Sequence, residues 1–212
     1  MPPPRALLFD LGGVVVDIDF DRALAAWAPY SALPLSKLKA AFRFDEAYQR
    51  HERGEIAAAE YFEQLATVLR LDATQDQIAA GWNAIFIGER VSTLTLIETL
   101  RLSLRSHAFT NTNATHMACW SQRFPRLVAA FEQIFASHRL GLRKPERAAF
   151  ERVVQGIGVA AQDILFFDDL ADNVEAARQA GLQAVHVRSA ADVDERLRSL
   201  LPELAPRTLS QR

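Results

Sequence analysis

Short apolar runs that stop abruptly on polar residues limit what these 212 residues can fold into more than any other feature. Ala6–Phe9 ends at Asp10, followed by Gly12-Gly13. His107–Thr110 runs into Asn111-Thr112-Asn113, Ile134–Ser137 precedes a loop around Lys144, and Ile164–Phe167 stops at Asp168-Asp169. Ala184–Val187 closes the series. Runs this short between turn formers read as strands covered on both faces. Helical patterns lie between them at Val91–Leu104, at Glu146–Gln155 just after Pro145, and at Leu170–Ala180, where Gly181 supplies the stop. Strands alternating with helices of this length predict βαβ units and a parallel sheet.

Residues 20–88 break the alternation. They give helical stretches at roughly Leu35–His51, Glu55–Leu71 and Gln75–Ile87 and no convincing strand, with Thr74 and Gln77 placed as a capping box. The expected fold is therefore α/β: a Rossmann-like parallel core, residues 1–17 and 89–212, with a small all-helical cap, residues 18–88, inserted after the first strand. Half of the residues are hydrophobic, enough for a chain of this size to bury a substantial core. Pro206–Arg212 is expected to fray.

Charge excludes some function classes. The net charge is −2 and both signs are mixed along the chain, so neither a nucleic-acid footprint nor a membrane-surface patch is expected. The start, MPPPRALLFDLGGVVVD, has neither the basic-then-apolar order of a signal peptide nor the length of a span. Cys119, the sole cysteine, has no partner for an internal disulfide. Together these predict a cytoplasmic protein; a monomer or weak homodimer is expected.

Asp10, Thr110-Asn111, Lys144 and Asp168-Asp169 follow four successive strands. In a parallel sheet, ligands bind beyond the carboxyl ends of the strands, so these groups should converge on one cleft. Their types suit phosphate chemistry. Asp10 and Asp169 offer hard oxygens to Mg²⁺, Thr110 and Asn111 offer donors to phosphoryl oxygens, and Lys144 offers a compact positive charge. Lys144 is also one of only three lysines among 24 basic residues, the others being Lys37 and Lys39. Taken singly, an Asp at a strand end is more often a turn or helix-cap residue. The joint pattern, in chain order and each at a strand end, favours function.

The chain resembles the haloacid dehalogenase superfamily of phosphatases. The resemblance is carried by Phe9-Asp10-Leu11-Gly12-Gly13-Val14, Thr110-Asn111-Thr112-Asn113, Gly141-Leu142-Arg143-Lys144-Pro145-Glu146 and Phe166-Phe167-Asp168-Asp169 followed by Asp172-Asn173. Within it, Val15–Phe20 and His51-Glu52-Arg53-Gly54-Glu55-Ile56 are most similar to the bacterial α-D-glucose-1-phosphate phosphatases. The resemblance implies that Asp10 attacks phosphorus and carries an aspartyl-phosphate. It implies that Asp10, the Gly12 carbonyl and Asp169 hold Mg²⁺ with Asp168 in support. Thr110, Asn111 and Lys144 would bind the phosphoryl group of a small phosphorylated metabolite, a sugar phosphate such as glucose 1-phosphate.

Many members carry a second Asp two residues after the nucleophile, as acid and base, where this chain has Gly12. An anomeric alcohol leaves more readily than an ordinary one, which reduces the need for that acid. Asp17, Asp19 and His51 are candidates for activating water in the second step. Phe20, Trp27, Phe42, Phe44 and Tyr48 are candidates for lining a sugar pocket, against a plain role in the cap core. The run Arg105–Phe109 is polar and short, so some distortion is expected at Thr110. The competing readings are a 2-haloacid dehalogenase, which needs no metal, and a non-catalytic phospho-ligand-binding member of the superfamily.

Overall fold

The first strand sets the layering. In β1, Ala6–Phe9, all four side chains are buried, and they alternate between two cores. Leu7 and Phe9 join one hydrophobic cluster, while Ala6 and Leu8 join the other. Period-two alternation into two apolar layers is what a central strand covered on both faces requires.

The structure is a computed structural model that describes residues 3–101 and 103–204. After β1 come β2 (Val16–Ile18), α1 (Phe20–Trp27), α2 (Leu35–Ala41), α3 (Glu46–Glu52), α4 (Ala58–Leu69), α5 (Gln75–Asn83) and β3 (Phe86–Glu89). Then follow α6 (Val91–Leu100), β4 (Arg105–Thr110), α7 (Ala114–Arg123), α8 (Pro125–Ala130), β5 (Gln133–Ala136) and α9 (Ser137–Leu140). The chain continues through α10 (Arg147–Ile157), β6 (Ile164–Asp168), α11 (Ala171–Gln179), β7 (Gln183–His186) and α12 (Ala190–Leu204). The five-stranded sheet has the order β5-β4-β1-β6-β7, with every neighbouring pair parallel. The chain fills one side of β1 with β4 and β5, then crosses to the other side for β6 and β7. That reversal beside β1 is the switch point at which such sheets open a crevice.

Three sequence expectations need correction. The cap block is not purely helical: β2 and β3 pair antiparallel, Val16 with Glu89, and form a two-stranded ribbon at both ends of the helical segment. The stretch Leu35–His51 is two helices, because Asp45 turns extended and accepts a bond from the Tyr48 amide at 3.0 Å, starting α3 afresh. Nor is β4 distorted before Thr110. It has six residues, pairs with both β1 and β5, and buries its polar Ser106 and His107. The capping box at Thr74 and Gln77 is present in both directions. The segment 206–212 lies outside the described residues. No helix among the described residues is long and apolar enough to cross a membrane.

The helical segment has its own core around Trp82. Trp27 stacks on Trp82 at 6.2 Å, with Phe20, Phe42, Tyr48 and Tyr61 packed edgewise around it. The same indole ties this core to the sheet domain. His116 of α7 stacks on Trp82 at 4.6 Å and its Nε2 bonds the Trp82 carbonyl at 3.0 Å. Burial holds the His116 pKa down to about 3, so this imidazole is a neutral packing element.

Candidate active site

The four strand-end features do meet. Asp10 follows β1 directly, and its amide bonds the Phe167 carbonyl of β6 at 2.8 Å, so its side chain emerges between the two central strands. Lys144 reaches it from the loop after α9. The ammonium Nζ lies 2.9 Å from Asp10 Oδ1 and 2.7 Å from Asp168 Oδ2, and is only 1% exposed. The rings of Phe109 and Phe166 lie 5.3 and 5.4 Å from it and close the slot around its stem. A compact ammonium fits there, and a forked guanidinium would not.

Asn111 sits differently from the sequence expectation. Its side-chain amide donates to the Lys144 carbonyl at 2.9 Å, and its side-chain oxygen accepts from the Lys144 amide at 2.8 Å. The amide therefore clamps the Lys144 backbone instead of standing free as a donor to phosphate. A second clamp lies one residue on. The Ser137 hydroxyl donates to the Thr112 carbonyl and accepts from the Thr112 amide, both at 2.8 Å. Together they lock the loops after β4 and β5, and Thr110 lines the cavity with its hydroxyl 3.5 Å from the Asn111 carbonyl.

The two acids after β6 have separate environments. Asp168 is 0% exposed and accepts from Lys144, from the Leu170 amide at 2.9 Å, and from Asn173 Nδ2 at 3.0 and 3.1 Å. Both its oxygens are taken. Asp169 is half-buried and lines the cavity with Asp10 and Gly12. Gly13, at φ +73°, carries the backbone past it, and a Cβ there would land on the Asp169 carboxylate.

Carboxylate oxygens of Asp10, Asp168 and Asp169 all lie within 4.8 Å of one another. Three carboxylates thus crowd together, and the one ammonium among them pairs with Asp10 and Asp168. Burial raises the Asp10 pKa to about 7; Lys144 pulls it down, while Asp168 and Asp169 push it further up. Burial, and then Asp168, raises Asp169 as well. Lys144 stays charged, because Asp10 and Asp168 together outweigh the burial that opposes it. The cluster is left with uncompensated negative charge on hard oxygen donors, the environment that a divalent cation such as Mg²⁺ fits. Asp10 and Asp169 are the side chains with oxygens free to hold it.

Above this floor opens a cavity of about 390 Å³. Phe20, Phe44 and Tyr48 line it, whereas Trp27 and Phe42 pack into the helical core instead. The three candidates for a water-activating group do not line it. Asp17 is paired with Arg90 at 2.8 Å, Asp19 caps α1, and His51 is stacked on Tyr61 at 4.7 Å with Nδ1 toward the Ile56 carbonyl. Two residues that sequence reasoning passed over do line it: Glu52, one residue after His51, and Arg143, one before Lys144. Helical spacing was the available signal for Glu52, since it falls four residues after Tyr48 on the same face of α3.

A family description of haloacid dehalogenase-like hydrolases matches residues 4–181. The chain belongs to the haloacid dehalogenase-like hydrolases. Among its relatives, D-ribitol-5-phosphate phosphatase of Bacteroides thetaiotaomicron is 26% identical over 202 residues, covering 93% of this chain and 98% of that one. A phosphatase of Mycobacterium tuberculosis is 27% identical over 188 residues, covering 84% and 85%. A haloacid dehalogenase family enzyme of B. thetaiotaomicron, crystallised with magnesium and inorganic phosphate, superposes with a TM-score of 0.77 at 24% identity, covering 87% and 94%. The site of this haloacid dehalogenase-like hydrolase is thus built on the fold of its relatives.

Proposed function

We propose that the protein is a magnesium-dependent phosphatase that hydrolyses a small phosphomonoester through an aspartyl-phosphate on Asp10. The observation that carries this reading is the Asp10–Lys144 pair, 2.9 Å apart, at the floor of the cavity. An Asp10 oxygen attacks phosphorus, the bond from phosphorus to the alcohol oxygen breaks with its electron pair on that oxygen, and the departing alkoxide takes a proton from solvent water. Water then attacks phosphorus of the acyl phosphate, releasing phosphate and restoring the Asp10 carboxylate. Lys144 and the Thr110 hydroxyl hold the phosphoryl oxygens, and Asn111 fixes the loop that carries Lys144. Magnesium, when bound by Asp10, Asp169 and the Gly12 carbonyl, supplies the charge that lets two anions approach. Asp168 keeps Lys144 in place.

A metal assay with p-nitrophenyl phosphate tests the reading. Chelation by EDTA should abolish turnover and Mg²⁺ should restore it. Asp169→Ala should raise the half-saturating Mg²⁺ concentration by more than the roughly 10- to 100-fold that losing an outer partner costs. Asp168→Ala should act on thermal stability first. Equal metal dependence in the two variants contradicts these roles. Turnover that survives EDTA would overturn the metal dependence, halide release from a 2-haloacid without phosphate release would support the dehalogenase reading, and neither product under any condition would support a binding-only protein.

The finer reading is a sugar monophosphate, glucose 1-phosphate or a similar ester. The resemblance supports it, as does a relative that acts on ribitol 5-phosphate. With Gly12 where many relatives place an acid, good leaving groups should be favoured. Sugar 1-phosphates should be hydrolysed faster than 6-phosphates of the same sugar, by up to the roughly 10²- to 10⁴-fold that a positioned acid contributes. Gly12→Asp should narrow that gap. A Cβ at position 12 comes to 2.8 Å from Ile18 Cδ1, so the variant is best combined with Ile18→Val, which removes that methyl. Equal kcat/KM for glucose 1-phosphate and glucose 6-phosphate in the wild type would mean that another group delivers the proton.

A further inference from the structure

Phosphoryl chemistry accounts for the cavity floor but leaves one polar wall unused. Glu52 of α3 projects there with its side chain 5% exposed, and Arg143 donates from Nε to its Oε2 at 2.9 Å. Tyr48, one turn earlier on α3, stands beside the same carboxylate, and burial and then the Glu52 charge raise its pKa. All three line the cavity that holds Asp10 and Lys144. The Arg143 side chain is 18% exposed, and its terminal nitrogens take no partner among the described residues. The aromatic rings of Phe20, Phe44, Phe86 and Trp120 line the same cavity.

The pair is electrically neutral, which narrows what it recognises. A second phosphate or carboxylate brought to Arg143 would also meet the Glu52 carboxylate in a poorly solvated pocket. A hydroxyl meets no such penalty. It donates to Glu52 and accepts from the open end of the guanidinium, using both partners at once. The aromatic flank suits the C–H face of a compact carbon skeleton. A purely aryl or isoprenoid alcohol would leave the Arg143 donors without partners, and such unpaired polar groups are what make a site reject an analogue that lacks a hydroxyl.

We propose that Glu52 and Arg143, held by Tyr48, read a hydroxyl on the leaving alcohol and so select an uncharged sugar or polyol monophosphate. This rests on the phosphatase reading of Asp10. Glu52 and Arg143 touch the substrate; Tyr48 is a positioning residue. The plainer account is that the pair only pins α3 to the Lys144 loop, as the more exposed Arg53–Glu146 pair does at 3.3 Å.

The test compares kcat/KM for a panel of sugar and polyol monophosphates with that for p-nitrophenyl phosphate, in the wild type and in Glu52→Gln and Arg143→Lys, with Tm recorded for each. Arg143→Lys retains the ion pair but withdraws the fork, so it serves where Glu52→Gln folds poorly. Both variants should lower the ratio of hydroxylated to aryl substrate by about tenfold or more, mainly through KM. A monodeoxy analogue of the best substrate should be penalised in the wild type and much less in the variants. Equal losses on both substrate types would overturn the proposal in favour of a structural pin. A wild type inactive even on p-nitrophenyl phosphate would instead overturn the phosphatase reading. A wild type that prefers the aryl ester to every hydroxylated ester would overturn the substrate class alone.

Discussion

Asp10→Asn should reduce phosphatase turnover by about 10⁴-fold or more, the scale on which removing a covalent nucleophile acts, while the fold keeps or gains thermal stability. The amide has the shape of the carboxylate but cannot attack phosphorus. The stability half of the expectation comes from the electrostatics of the site. Burial, and then the nearby Asp168 and Asp169 carboxylates, raise the Asp10 pKa to about 7 against the pull of Lys144. Removing the Asp10 charge leaves the 2.7 Å Lys144–Asp168 pair intact and relieves repulsion among the carboxylates. An active site arranged for chemistry at the expense of stability behaves in this way. The measurements are single-turnover phosphate release and Tm in Mg²⁺-free buffer. Residual activity within about a hundredfold of wild type in a folded Asp10→Asn protein would exclude Asp10 as the nucleophile. A large drop in Tm would show instead that Lys144 depends on both acids.

What could be read in the sequence follows from how local each signal is. β1 is found at Ala6–Phe9 as expected, and β6 extends the expected strand only to Asp168, because an apolar run ending on a charge is written within a few residues. The convergence of Asp10, Thr110, Lys144 and Asp169 was legible too, since a parallel sheet sends its strand ends to one side. The β2–β3 ribbon was not. Its strands have three and four residues, one carries Gly88, and their pairing spans the whole helical segment. The helix Ala114–Arg123 was equally hard to see. It buries His116 and Trp120 without a clean apolar stripe, and its one local mark is Asn113, which accepts from the His116 amide at 3.0 Å. Side-chain commitments were hidden most deeply. Nothing local says that Asn111 clamps the Lys144 backbone or that His51 packs on Tyr61. Each depends on a contact with a residue remote in sequence or on which face of a helix meets the core.

Lys144→Met should cost both activity and stability, and the two losses should separate on a second substitution. Methionine matches the length of the lysine stem and suits the ring-lined slot, so packing changes little. The loss is electrostatic. Asp168 is completely buried, and without Lys144 it keeps only the Leu170 amide and the Asn173 side chain as donors. Breaking a buried pair by removing one partner typically costs about 3–5 kcal/mol, which for a chain of this size lowers Tm by roughly 10 °C. Asp168→Asn in the Lys144→Met background removes the stranded charge and should recover most of that Tm. Turnover should stay lost, because the ammonium beside Asp10 is still missing and the phosphoryl oxygens have no cation from the protein. Thermal melts and kcat/KM on p-nitrophenyl phosphate for the two single variants and the double variant complete the cycle. If the second substitution left Tm as low as in Lys144→Met, the stability of the site would not reside in the Lys144–Asp168 pair. If it restored turnover, Lys144 would serve only to neutralise Asp168, and Thr110 and the bound cation would have to bind the phosphoryl group without it.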